Sequence, residues 1–195
     1  MLRRIPIYIA MLPLDLFAWS LILLIHVLWG EDLRWRDGVL STSMRPGSFP
    51  VRKGKWPVGW YLYNRETGAP WGGTSIGHAQ FHGGPFRAPL NEPLTPHEAH
   101  EYHHVRQAEA SQIAAFLCAI MVLITLLALE AWVAAAIVPL VIWSFGSVSV
   151  SFGGWAAAWI RGDSRGFYRG SAHEIGAYAV EEVYAKNPFN PHNQP

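Results

Sequence analysis

Residues 110–160 read ASQIAAFLCAIMVLITLLALEAWVAAAIVPLVIWSFGSVSVSFGGWAAAWI, and Glu130 is the only charge in those fifty-one residues. Gln112 to Leu129 is charge-free for eighteen residues and Ala131 to Ile160 for thirty. A bilayer core takes about 20 apolar residues per helix, and backbone facing lipid must satisfy its own N–H and C=O groups. The tract therefore predicts two membrane crossings joined near Glu130–Trp132. A buried helical hairpin in a soluble chain is the rival reading, because an apolar run is compatible with both. Pro139 stands where the second helix could kink. Gly146, Gly153 and Gly154 are small enough to admit a close neighbour.

Outward from this tract the chain stays greasy. Of its 195 residues, 51% are hydrophobic and only 15% are charged, against about 25% in an ordinary soluble domain. Lys plus Arg (15) nearly cancels Asp plus Glu (14), so no global field points to nucleic acid, and the expected partner is a lipid bilayer. A single cysteine, Cys118, excludes an intramolecular disulfide and a multi-cysteine zinc site. Ile5 to Gly30 is apolar apart from Asp15 and His26, with Arg3 and Arg4 in front. A cleaved signal peptide is the rival here, but the stretch is long and Trp29-Gly30-Glu31 is a poor cleavage site, so an uncleaved anchor is expected. Asp15 should face protein or water, or mark an interfacial first turn ahead of a span at about 14–30. Arg3 and Arg4 favour a cytoplasmic start. Arg34, Arg36, Arg45, Arg106, Arg161, Arg165 and Arg169 outnumber them on the other side, which makes the polar region cytoplasmic.

The expected organisation is an anchor over 1–30, a polar region over 31–111, a transmembrane hairpin over 112–160, a polar helix over 161–186 and a flexible tail over 187–195. Within the polar region, 58–63 and 73–81 read as strands joined by turn residues 64–72, and 83–96 as loop. Thr95-Pro96-His97-Glu98 reads as a helix start, with Thr95 as N-cap, Pro96 at N1 and Glu98 closing a capping box.

That helix carries His97-Glu98-Ala99-His100-Glu101-Tyr102-His103-His104-Val105-Arg106-Gln107. His100-Glu101-x-x-His104 is the zincin pattern. Four residues advance a helix by about 400°, so the two imidazoles lie over one another and can meet one metal ion. Glu101, one residue past the first ligand, can reach a metal-activated water as general base and hand its proton to the leaving amine. A catalytic zinc needs a third protein ligand and one open position. Glu174, near the start of a second polar helix, is the candidate, because an up-and-down hairpin returns the chain to the side it left. His97 and His103 are expected on the exposed side, Arg106 and Gln107 in structural contacts, and His26 and Cys118 in packing.

His100-Glu-x-x-His104, then a transmembrane hairpin, then Glu174-x-x-Ala177-Tyr178 resembles the gluzincin arrangement of membrane zinc endopeptidases of the HtpX and CAAX-prenyl-protease kind. It is closer to small bacterial proteins that carry His-Glu-x-x-His-Val-Arg-Gln, here His100 to Gln107, and later Glu-x-Glu-Ala-Tyr, here Glu174 to Tyr178. Their Thr-Leu-Gly-His strand is similar to Thr74-Ser75-Ile76-Gly77-His78. The resemblance covers about residues 58–185. It implies a mainly α membrane protein with three transmembrane helices and a small α+β gluzincin-like metal domain, in a bacterial inner membrane. It implies one zinc ion per chain held by His100, His104 and Glu174, Glu101 as catalytic base, and a peptide or protein substrate. The Thr74–His78 strand would be the edge along which substrate adds. Two positions depart from the pattern: Gly176 replaces a second acid, and Tyr178 replaces the aspartate that orients a ligand histidine. Tyr178 would then serve as an oxyanion donor or stand just outside the metal's ligands.

Two other functions remain open. His78-Ala-Gln-Phe-His82 and His100-x-x-His103-His104 also fit the histidine boxes of membrane di-iron hydroxylases and desaturases, although such a site wants about eight histidines and no third box follows. A catalytically degenerate metal-binding membrane adaptor is the non-enzymatic alternative.

Overall fold

The computed structural model describes residues 5–44, 73–82, 92–162 and 170–187. In order these form α1 (Ile5–Trp29), β1 (Gly30–Arg36), β2 (Val39–Met44), β3 (Gly73–Ile76), β4 (Ala79–His82), α2 (Pro96–Ala128), α3 (Trp132–Ile160) and α4 (Ala172–Lys186). The protein is mainly helical with a small mixed sheet. Helices α1, α2 and α3 are each long and apolar enough to cross a membrane. Leu117, Met121 and Ile124 on α2, and Val133, Ile137, Leu140 and Phe145 on α3, are exposed. So continuous an apolar surface fits lipid and does not fit a hairpin buried in a soluble chain.

The α2–α3 joint falls where the charge pattern predicts it. The Glu130 N–H donates to the Leu127 carbonyl and the Ala131 N–H to that of Leu126, both over 3.1 Å or less, and Glu130 has φ +56°. This is the Schellman arrangement, with the tract's one charged residue in the left-handed position that ends the helix. α2 itself runs unbroken across the 111/112 boundary drawn on composition, so polar and apolar segments are one rod.

Two of the contacts between α3 and α2 are especially close. A Cβ added at Gly146 would come within 2.0 Å of the Ala115 Cβ, so the backbones approach where only glycine fits. Beside it the fully buried Gln112 amide donates to the Trp143 carbonyl and accepts from the Ser147 N–H at 3.1 Å. Those two backbone groups are helical partners four residues apart, so the inserted side chain satisfies both. Gly154 lies against His173, whereas Gly153 meets nothing within 4 Å and is not a contact residue.

The sheet differs from expectation. β1 and β2 form an antiparallel hairpin about the two-residue turn Asp37-Gly38, both at positive φ (+49° and +86°), as a type I′ turn requires. Asp-Gly between two strands is a readable hairpin signal that the sequence reading passed over. The single strand expected over 73–81 is instead a second tight hairpin. β3 and β4 pair antiparallel, with Gly77-His78 as the turn and Gly77 at φ +54°. Gly77 also admits α1, since a Cβ there would stand 2.7 Å from Asp15 Oδ1. The sheet order is β1-β2-β4-β3, with β2 and β4 parallel, so β3 is an edge strand among the described residues. The strand expected over 58–63, the turn over 64–72, most of the 83–96 loop and the tail beyond 187 lie outside the described residues.

α1 packs Ala18 and Ile22 on Ala79 and Phe81, with Trp19, Ile25, Leu40 and Ile76 around them. Asp15 is 1% exposed and points into the protein, not into an interfacial turn. His26 takes more than a packing role, with Nδ1 2.9 Å from the Thr42 hydroxyl. Cys118 is exposed on α2 rather than packed. Gly146→Leu should separate α2 from α3 and cost roughly 1–3 kcal/mol, read as a lower thermal midpoint of the detergent-solubilised protein. An unchanged midpoint would contradict the close approach.

Candidate metal centre

α2 begins as its sequence predicts. The Thr95 hydroxyl accepts from the Glu98 N–H at 3.2 Å, and the Glu98 carboxylate accepts from the Thr95 N–H at 2.9 Å, with Pro96 opening the first turn. One turn further on, the His100 and His104 rings meet edge to face, 4.9 Å between centroids. α4 starts on a matching cap, the Ser171 hydroxyl accepting from the Glu174 N–H at 3.4 Å. Glu174 therefore sits in the first turn of α4, where the positive end of the helix dipole favours a carboxylate. It is 3% exposed and faces the histidine pair.

The three side chains converge. His100 Nε2 and His104 Nε2 are 3.2 Å apart. Glu174 Oε2 is 3.6 Å from the first, and Oε1 is 3.3 Å from the second. A small ion with bonds of about 2.0–2.1 Å in tetrahedral geometry sets its ligand atoms about 3.3–3.4 Å apart, close to the spacing of the two imidazole nitrogens, with a Glu174 oxygen near each. His100, His104 and Glu174 thus form a group that could hold a metal ion.

Glu101 lies beside this triangle, 3% exposed. Its Oε2 accepts from the Ser75 hydroxyl at 2.8 Å, and its Oε1 is 3.9 Å from His97 Nε2. Ser75 belongs to edge strand β3, so the strand expected to border the site contacts it through a side chain. The other members of Thr74–His78 part company: Thr74 continues the strand, Ile76 packs towards α1, Gly77 makes the turn, and the His78 ring points away from the site. Tyr178 stacks edge-on against His100, 4.7 Å between centroids, and stays partly exposed. His97 and His103 are half-buried rather than exposed.

Both departures from the gluzincin pattern have structural counterparts. A side chain at 176 would press on His103 Nε2 at 2.9 Å and Gln107 Nε2 at 3.1 Å, so Gly176 lets α4 lie close to α2. A larger residue there would make those two side-chain ends shift. Glu181 brings a carboxylate to the far side of the His100 ring, its Oε2 3.0 Å from Nδ1. Gln107 plays the matching part for the second histidine, its Oε1 3.0 Å from His104 Nδ1. Sequence reading missed both. The available signal was spacing, since Glu181 follows Glu174 by two helical turns and Gln107 follows His104 by one.

A second polar cluster stands behind the site. Asp15 accepts from the His78 backbone N–H at 2.9 Å and faces the His78 ring Nδ1 at 2.6 Å. Glu109 faces His78 Nε2 at 3.0 Å and pairs with Arg106 at 2.7 Å. One buried imidazole thus ties α1, the β3–β4 turn and α2 together, and Arg106 is structural as expected. His82, in contrast, is pushed down to about 3 by burial, helped by the positive charges of His97 and Arg34, and stays neutral.

Comparison with protein-family models, curated proteins and solved structures gives no match.

Burial alone would lower the His78 imidazole, but the carboxylates of Asp15 and Glu109 outweigh it and push the group up to about 9. With the folded value above the ordinary 6.5, this imidazolium contributes its full stability below pH 6.5 and loses it as pH rises through about 9. The loss is on the order of 3 kcal/mol. Thermal midpoints should fall between pH 6 and 10 in the wild type and much less in His78→Gln. Parallel pH profiles for the two proteins would contradict the ion-paired state.

Proposed function

We propose that this protein is a membrane-embedded, zinc-dependent metallopeptidase with a gluzincin-like site. The observation that carries the reading is the convergence of His100 Nε2, His104 Nε2 and Glu174 at 3.2–3.6 Å beside the buried carboxylate of Glu101. Two imidazoles and one carboxylate are the donor set of a catalytic zinc site, and they leave a fourth position open. Zinc bound there would supply Lewis-acid polarisation of a water and of the scissile carbonyl.

The chain's own groups do the rest. Glu101 takes a proton from the attacking water and returns it to the leaving amine. The Ser75 hydroxyl holds one oxygen of that carboxylate, leaving the other, Oε1, for proton transfer. Among the described residues β3 borders the site as an edge strand, so an extended peptide can add along it by backbone hydrogen bonds, with Thr74, Ser75 and Ile76 nearest. Both elements lie at one end of the apolar helices, which suits a substrate presented at a bilayer, here a bacterial inner membrane with the site on the cytoplasmic side. The di-iron alternative needs a second metal position. Among the described residues His78 is engaged by Asp15 and Glu109, and one three-ligand group is present.

Elemental analysis of the purified protein should find one zinc per chain, lost in His104→Ala. Glu101→Gln should keep the zinc while hydrolysis of an unfolded model protein such as casein falls roughly 10²–10⁴-fold. Undiminished zinc in His104→Ala would sink the site. Two irons per chain would return the histidine-box enzyme, and zinc without hydrolysis in the wild type would leave a metal-binding adaptor.

A further inference from the structure

A histidine binds a metal through one ring nitrogen only when the other carries the proton, and a buried N–H without an acceptor costs about 1–3 kcal/mol. Both ligand rings at this site turn Nε2 inward, so each must keep its proton on Nδ1 and find that nitrogen a partner.

For His104 the choice is forced by a chain of contacts. Gln107 Nε2 donates to the His173 carbonyl at 3.0 Å. A carbonyl only accepts, so the Gln107 amide is oriented with Oε1 towards His104 Nδ1, 3.0 Å away. An amide oxygen also only accepts, so the His104 proton must sit on Nδ1. For His100 the partner is Glu181. His100 Nδ1 is sealed from solvent and forms no hydrogen bond of good alignment among the described residues, and Glu181 Oε2 lies 3.0 Å away. An ionised carboxylate accepts only, so it too draws the proton to Nδ1. Glu174 and Glu181 stand seven residues apart on α4, two helical turns, and so present one carboxylate to each side of the same ring.

We propose that Gln107 and Glu181 are positioning residues that hold His104 and His100 in the Nδ1–H form, aiming both Nε2 lone pairs at the corner shared with Glu174. This rests on the metal-site reading above and deepens it. Glu181 thereby takes over the orienting role vacated at Tyr178, and α4 contributes a ligand to the ion and a partner to a ligand.

The test compares Glu181→Leu and Gln107→Leu, which remove the acceptor, with Glu181→Gln and Gln107→Glu, which keep an acceptor oxygen. Zinc affinity of detergent-purified protein is measured by competition with a chelating dye, and the ring ¹⁵N resonances of the metal-free protein are read for tautomer. The leucine variants should bind zinc roughly 10–100-fold more weakly, with the conservative variants retaining most of the affinity. The wild-type rings should each carry a proton on Nδ1, and the leucine variants should show a share of rings protonated on Nε2 alone. Leucine variants binding as tightly as wild type would overturn the proposal, as would conservative variants losing as much as the leucine ones. Should the leucine variants fail to fold, the wild-type spectrum decides, since either ring protonated on Nε2 alone contradicts it. Wild-type protein that takes up no zinc refutes the metal reading instead, and the ring spectra still judge the tautomers.

Discussion

The arrangement depends on one constraint, the continuity of α2 from Pro96 to Ala128. Lipid offers no hydrogen bonds, so the apolar half of this segment must be helical, and helical geometry propagates through its polar half. The angular position of His100 and His104 is therefore set by the same rod that packs against α3. Gly146 against Ala115 and the inserted Gln112 amide fix that packing. A ligand pair on a separate loop would have to pay for its own ordering entropy; here the spanning helix has already ordered it.

The polar groups inside this frame work as two linked layers. Around the triangle, Ser75 holds Glu101, Gln107 meets His104 and Glu181 meets His100. Behind it, buried Asp15, His78 and Glu109 alternate in charge, and Glu109 reaches out to the exposed Arg106. Charges in such surroundings are costly to leave unpaired, so each partner constrains the others. Because His78 sits in the turn next to β3, the pairing of α1 with that turn also sets where Ser75 stands. Helix α1 thus bears on Glu101 through a hairpin only a few residues long.

Much of this was legible beforehand. The charge-free tract and its lone Glu130 announced the helical hairpin, and Thr95-Pro96 with Glu98 announced the start of α2. The spacing of His100 and His104 declared their shared face, and the hairpin's return brought Glu174 into question. Other features were not. A run such as Gly73 to Phe81 reads as one strand, and the turn with Gly77 at positive φ, close against α1, divides it into two. Asp37-Gly38 was readable as a turn and went unread. The partner of Asp15 was hidden because 63 residues separate it from His78.

From sequence alone followed what local chemistry and the bilayer dictate: three long apolar helices, a capped polar turn, and two imidazoles one turn apart. These need only near neighbours and the solvent's demand that backbone groups be satisfied. Tertiary structure alone decided which distant groups meet. Glu174 meets His100 and His104 where α4 lies against α2, with Gly176 facing the ends of His103 and Gln107. Ser75, Gln107 and Glu181 became partners of the site in the same way. Their distances to it are settled by packing between elements, which composition and spacing along one element do not encode.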